Sequence, residues 1–440
     1  MDSGASLDKP GRKGPASSLD QRRVKAELVA EAFTLGGIDA MALSASDWAL
    51  GADFVRSLVA EHDLPVLAAN LRCEEGGHAL PPSRTVTLGG HTVGIVGTTD
   101  GEVPGCTVGP AAPAIRAAAA TLSDADFTVA LVPATDTRGV GRVIAEEGRD
   151  LGVDLVIDAN SRSLQARPQQ RAGTWWMSAG GRGRHLGVAT LTFADSDDWT
   201  VAVGTLGDPA SDRARTEERR DEAARLAAQA ETDELRARYQ AQVDAYDRKL
   251  ASLSTPTART SNHIGLEVVA LDRDIVDHPA TVELVGEAKT KITSSARAAP
   301  TAFVSRRVPS GPYAGGEACV TCHTGPHAQW SKTGHARAWQ GLVNVNRAFD
   351  DACWSCHVTG ANQRGGPSTA KETGPYRDVQ CEACHGPSRA HAERADDVSL
   401  RPVRSPDEAT CRTCHDGEQD GGRFDLATYL PRVVHTQAGP

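Results

Sequence analysis

Methionine is nearly missing from this chain: its 440 residues contain three, Met1, Met41 and Met177. Aromatic residues are sparse too, at 4%. No run of about 18 or more apolar residues occurs, which excludes a bilayer-spanning helix. The N-terminus carries no basic segment leading into an apolar stretch, so no secretion signal is visible. A basic excess is also lacking, since 47 Lys and Arg stand against 57 Asp and Glu for a net charge of −10. That balance gives no reason to expect nucleic acid or an anionic membrane surface as partner. At this length one ordinary core is too little, and two or three domains are expected.

What is present is cysteine in a repeated pattern. Eight of the ten cysteines lie beyond residue 318 as four C-x-x-C pairs, each followed at once by histidine. They are Cys319-Cys322-His323, Cys353-Cys356-His357, Cys381-Cys384-His385 and Cys411-Cys414-His415. C-x-x-C-H is the pattern of covalent haem attachment, with two thiols on the porphyrin and the adjoining histidine as proximal iron ligand. With this composition, about 0.007 such matches are expected by chance. Zinc ribbons need no histidine after every pair, and a thioredoxin site is a single pair in a βαβ setting. Four c-type haems are therefore expected. Such haems are attached outside the cytoplasm, so the chain is expected to be exported, periplasmic or extracellular, and seen here in mature or trimmed form.

Composition agrees. Residues 313–440 hold fifteen Leu, Val and Phe in 128 residues, with no Ile and no Met. That is about 12%, below the roughly 20% under which chains stay disordered. Four porphyrins would supply the missing apolar core. Motif spacings of 34, 28 and 30 residues leave little protein per haem, so the rings must pack closely. Without methionine in the segment, bis-histidine or five-coordinate iron and low potentials remain. His327, His335, His391 and His435 are its other histidines. Trp330, Trp339 and Trp354 are read as packing against porphyrin edges rather than as electron relays.

Here a resemblance becomes specific. Tyr313-Ala-Gly-Gly-Glu-Ala-Cys319 and Trp330-Ser-Lys-Thr-Gly-His335 resemble the opening of the tetrahaem cytochrome c-554 family. Cys381-Glu-Ala-Cys384-His385-Gly-Pro before His391, and Phe424-Asp-Leu-Ala-Thr-Tyr429 before His435, are similar too. The resemblance implies three bis-histidine haems and one high-spin haem with an open position. It makes His335, His391 and His435 the distal ligands and the second haem, at His357, the open one. His327 matches no family position and is read as a helix-surface histidine; were it a ligand, no open site would exist.

Residues 20–205 alternate helical and strand patterns: Val24 to Phe33 and Ala52 to Ala60, then Val66 to Asn70, Thr92 to Gly97, Val129 to Val132, Leu155 to Asp158 and Val188 to Phe193. Short Val/Ile-rich runs between helices mean an α/β fold with a buried sheet. Asp39-Ala-Met-Ala-Leu43, Leu64-Pro-Val-Leu-Ala-Ala-Asn70, Gly94-Ile-Val-Gly97 and Gly152-Val-Asp-Leu-Val-Ile157 make this part similar to the metallophosphoesterase domain of the bifunctional nucleotidase family. The fold expected is thus a phosphoesterase-like layered sandwich followed by a mostly helical, loop-rich tetrahaem domain. A dinuclear centre needs His, Asp and Asn at strand ends. Where the family has Gly-Asn-His-Glu this chain has Ser44-Ala-Ser-Asp47, and Pro133-Ala134 replaces Ser-His. Asp158-Ala-Asn-Ser-Arg162 replaces Gly-Gly-His-Ser-His, and the opening Asp-x-His strand is absent. The domain is read as a scaffold without its metals. Asp47, Asp136, Asp158 and Asn160 are taken as solvated loop groups, with one hard cation as the alternative. Cys73 and Cys106 form a disulfide or stay as two thiols.

Between the two lies a connector. Within the Ala-, Glu- and Arg-rich segment 211–253, Leu235, Tyr239, Val243, Tyr246, Leu250 and Leu253 form one stripe of a helix, expected to pack on the front domain, with a coiled-coil dimer as the alternative. A loop-and-strand stretch follows, with a helix near Ala280 to Ile292 and a hinge from Pro300 to Pro312. His263 and His278 receive no role. The domains expected are 1–208, 209–312 and 313–440. The function expected is electron transfer between redox partner proteins. The alternatives are reduction of a small nitrogen oxide at an open haem, or, against the substituted ligands, phosphohydrolysis in the front domain.

Overall fold

In the computed structural model the described residues are 1–8, 18–74, 80–133, 151–159, 169–171, 173–180, 183–194, 199–201, 209–230, 232–252, 261–272, 275–298, 311–368, 372–417 and 423–435. The chain forms two compact units: Met1–Asp8 with Val29–Pro279, and Lys9–Leu28 with Ala280–Pro440. No helix among the described residues is long and apolar enough to cross a membrane.

The first unit is an α/β sandwich. Its helices are α1 (Leu19–Gly36, from Val29 onward), α2 (Ala45–Trp48), α3 (Ala52–Glu61) and α4 (Ala111–Ala119), followed by α5 (Pro209–Gln229) and α6 (Asp233–Ser252). Its strands are β1 (Leu71–Cys73), β2 (Ser83–Leu88), β3 (His91–Gly97), β4 (Cys106–Val108), β5 (Phe127–Val132) and β6 (Leu155–Asp158). Then come β7 (Gln169–Arg171), β8 (Thr174–Met177), β9 (His185–Thr192), β10 (Trp199–Val201) and β11 (Asn262–Ala270). The main sheet runs β2-β3-β5-β6-β8-β7, with β3, β5, β6 and β8 parallel and the two edge strands antiparallel.

Alternation along β5 explains the layering. Phe127, Val129 and Leu131 pack with Ile264, Leu191 and Trp199 of a second sheet, β10-β11-β9. Ala130 and Val132 face the other way, against Ile115 and Ala118 of α4. Both faces of β5 are therefore buried, as its unbroken Phe-Thr-Val-Ala-Leu-Val run requires. Each fully buried Leu, Val, Ile or Phe contributes about 1.5–3 kcal/mol. At the end of β3, a Cβ on Gly97 would collide with the side chain and backbone of Leu67, so only glycine permits this approach. The run from Val66 is no strand; Val66 makes only an isolated bridge to Met41. Cys73 and Cys106 lie opposite each other in the β1–β4 ribbon and are joined as a disulfide.

The Ala-, Glu- and Arg-rich segment forms two helices, and the stripe from Leu235 to Leu250 lies on the second, α6. Tyr239 of α6 is buried against Ala227 and Ala230, in and just after α5, rather than on the sheets, because the two helices cover each other's apolar faces. Leu253 and most of the Pro300 to Pro312 hinge lie outside the described residues. β11, within the expected connector, pairs with β9 along its length and so belongs to the sandwich.

One sequence expectation is corrected at the N-terminus, where the opening segment makes only an isolated parallel bridge from Asp2 to Met41. Asp47 is not solvated; it is fully buried. Its carboxylate accepts hydrogen bonds from Ala5 N (2.9 Å), Leu7 N (3.0 Å), Asp8 N (3.0 Å), Ser44 N (2.7 Å) and Ser44 Oγ (2.8 Å). It thus staples residues 5–8 to the α2 turn. Burial pushes its carboxyl up to about 6 against the pull of those donors. A raised carboxyl contributes stability below the ordinary aspartate value that is lost as pH rises through about 6. Asp47→Ala is expected to cost about 2–4 kcal/mol by leaving five donors unpaired, and to abolish that pH dependence. Denaturant unfolding at pH 4.5 and 7.5, read with hydrogen exchange in residues 1–8, checks both.

Candidate functional site

The second unit contains the four cysteine motifs. Apart from Leu19–Leu28 of α1 and α7 (Pro279–Ala298), its described helices, all beyond residue 316, are seven residues or shorter. Among the described residues its sizeable protein core is Tyr313, Trp339, Leu342, Trp354, Val358, Ala361 and Tyr376, gathered around the second motif. Trp339 and Trp354 are therefore packing residues, and Trp330 donates its indole N–H to Val379 O at 2.8 Å.

The third motif supplies the main polar clamp. Glu382, between its two cysteines, is almost fully buried. Its Oε1 accepts from Ala314 N (2.9 Å) and Ser388 N (2.8 Å), and its Oε2 from Gly315 N (2.8 Å). Burial and this carboxylate push the Tyr313 hydroxyl up. Gln380 adds a bond from Gly316 N at 2.7 Å, so the segment leading into the first motif is held by the third.

None of the eight motif cysteines is in a disulfide. Their thiols meet across motifs. Cys319 and Cys381 share a hydrogen bond that pushes Cys319 up and Cys381 down to about 7. Cys356 and Cys414 do the same, with Cys414 brought down to about 7. The first motif therefore abuts the third, and the second abuts the fourth.

The histidines are paired as well. The ring of His323 lies 6.4 Å from that of His391, His335 lies 6.2 Å from His415, and His385 lies 5.7 Å from His435. A metal held by one nitrogen of each of two imidazoles, with bonds of about 2 Å, sets ring centroids roughly 6 Å apart. The three pairs fit an iron between them. His391 Nδ1 is buried with no hydrogen-bond partner among the described residues. Burial, then the neighbouring His415, lowers His335, while burial, then His385 and His323, lower His435. Both rings are thus biased to the neutral form that binds metal.

Backbone carbonyls orient two motif rings. His357 Nδ1 lies 2.6 Å from Ala338 O and His385 Nδ1 lies 2.5 Å from Val403 O, leaving the other ring nitrogen of each for a metal. His415 is stacked on Phe424 at 4.7 Å. His327 sits one turn from Trp330, 5.3 Å between rings, and no ring contact joins it to a motif histidine among the described residues. No second ring faces His357 among the described residues.

The sequence reading passed over Glu382, the Ala338 and Val403 carbonyls and the Phe424 stack. An acidic residue inside a haem motif was a usable signal for the first; main-chain carbonyls carry none. In the first unit, Asp136 and Asn160 lie outside the described residues, and Asp158 ends β6 with a partner of its own. Asn70 bonds inward, to Thr99 O and Gly109 O at 2.8 and 2.9 Å.

Residues 318–386 match the family described as "Cytochrome c554 and c-prime". Cytochrome c-554 of Nitrosomonas europaea is 32% identical over 93 residues, 18% of this chain and 40% of that protein. The chain thus spans less than half the length of this curated relative. Among solved structures, the sulfate thiohydrolase SoxB of Thermus thermophilus is similar with a TM-score of 0.36 and 21% identity, over 43% of this chain and 34% of that one. The calcineurin-like phosphoesterase YfkN of Bacillus subtilis gives 0.41 and 12%, over 66% and 82%.

The Glu382 clamp has a graded consequence. Glu382→Gln keeps an oxygen for two of the three backbone donors and is expected to cost about 1–2 kcal/mol, whereas Glu382→Ala leaves all three unpaired and costs about 2–4 kcal/mol. Thermal melting of the holoprotein should rank wild type above Gln above Ala; equal melting would contradict the clamp.

Proposed function

We propose that the second unit is a tetrahaem electron-transfer module, working outside the cytoplasm between redox partner proteins. The observation that carries this reading is the set of three facing histidine pairs, each joining one motif histidine to one outside the motifs. Cys319 with Cys322, Cys353 with Cys356, Cys381 with Cys384 and Cys411 with Cys414 would hold the four groups. His323, His357, His385 and His415 would be proximal ligands, and His391, His435 and His335 distal ligands at the first, third and fourth sites respectively. A c-type haem supplies one-electron redox chemistry at its iron, at low potential when two histidines ligate it. The chain's own part is to fix the rings and exclude water. The thiol contacts between first and third, and second and fourth motifs, support short electron paths between the groups those cysteines would hold.

A second reading has one observation behind it. His357 is oriented by Ala338 O and no second ring faces it among the described residues, so its iron would keep a position free for a small nitrogen oxide. The first unit is proposed as a phosphoesterase-like scaffold without phosphohydrolase chemistry, since Ala45 and Ser46 stand where the resembled family has Asn and His, and Asp47 is used internally.

Purified holoprotein should give four covalent haems per chain by pyridine haemochrome. Low-temperature EPR should give three low-spin signals and one high-spin signal that changes with nitric oxide. Each of His335→Ala, His391→Ala and His435→Ala should convert one low-spin signal to high-spin. Low-spin signals unaltered in all three variants would remove the assigned pairs.

A further inference from the structure

The second cysteine motif is built partly from the opposite end of the chain. Ahead of Cys353, the turn Phe349–Ala352 is held by α1, whose residues up to Leu28 belong to the second unit. Ser18 N donates to Asp351 Oδ2 at 2.9 Å. Gln21 makes a two-way clamp: its Nε2 donates to Phe349 O at 2.8 Å, and its Oε1 accepts from Asp351 N at 3.1 Å. Lys25 Nζ pairs with Asp350 Oδ1 at 2.6 Å, where the Asp350 side chain is only 9% exposed. The same Asp350 oxygen accepts from Ala352 N at 3.2 Å and so caps the Asp351–Cys353 turn that runs into Trp354–His357. On its other side α1 is braced by α7, through the Lys291–Glu27 ion pair. α7 in turn reaches Asn346 through Thr293 at 3.3 Å.

These contacts set both geometry and charge at Cys353. The charged groups that bear on its sulfur are Asp350, Arg347 and Lys25. Asp350 is nearly buried, so its charge is poorly screened and needs a local partner. Lys25 is that partner, although 325 residues separate the two in sequence. Gln21 fixes the backbone from which Cys353 projects. A sequence scan around the motif would find neither residue.

We propose that Gln21 and Lys25 are positioning residues of the second haem site, Gln21 holding the turn before Cys353 and Lys25 neutralising Asp350 beside the attachment point. This rests on the reading that Cys353–His357 carries a haem. Removing a positive charge there favours the more positive, ferric iron.

The test uses full-length holoprotein with Lys25→Met, Lys25→Arg and Gln21→Ala, after peptide mass spectrometry has located haem on Cys353 and Cys356 of the wild type. In Lys25→Met, spectroelectrochemical titration should lower the midpoint of one haem alone. The reduced-to-oxidised ratio of that haem at its wild-type midpoint should fall about threefold to tenfold, tenfold being about 59 mV for one electron. Lys25→Arg should restore it. In Gln21→Ala, hydrogen exchange should quicken in residues 349–357 with four haems still bound. Unchanged midpoints in Lys25→Met, or an equal shift of all four, overturn the role of Lys25, and unchanged exchange in Gln21→Ala overturns that of Gln21. A wild-type peptide without haem on Cys353 and Cys356 overturns the reading of the site, and the proposal with it.

Discussion

In the second unit, three pairs of imidazoles face each other across a metal-sized gap. His323 meets His391, His335 meets His415 and His385 meets His435. The partners are drawn from 68, 80 and 50 residues away in sequence (323 to 391, 335 to 415, 385 to 435). The connections are braided: the histidine after the first motif faces the fourth, the one after the third faces the first, and the C-terminal one faces the third. Any group that ties such pairs together closes long loops at once, and loop-closure entropy is then removed from the unfolded chain rather than recovered contact by contact.

That braid explains how so little apolar residue suffices. Among the described residues the protein's own core in this unit gathers on the second motif, the motif whose histidine has no facing ring there. Where a histidine pair fixes the geometry, short helices and loops are enough. Where it is missing, Trp339, Trp354 and Tyr376 pack, and the α1 residues Gln21 and Lys25 add polar ties. Among the described residues, side-chain packing thus concentrates at the motif that lacks a facing histidine ring.

The sequence made local features readable and hid distant ones. C-x-x-C-H is legible because its chemistry lies within five consecutive residues, and β5 or β6 because period and burial are local properties. The distal histidines were reachable only through resemblance, since no spacing rule joins His335 to His415. Asp47 was misread as solvated because an aspartate after Ser44-Ala-Ser looks like a loop carboxylate until the chain's first eight residues fold over it. The division of α1 between two compact units has no sequence signature at all, because a helix pattern continues unbroken through Leu28 and Val29.

The first unit shows what happens to acidic positions when a different donor reaches them first. A buried carboxylate must be balanced by a cation or by hydrogen bonds. Asp47 is balanced by four main-chain N–H groups and one hydroxyl, all from its own chain. Asp2 likewise accepts from Gly4 N and Ser6 Oγ. Both carboxylates are thus satisfied by main-chain and hydroxyl donors of the chain itself.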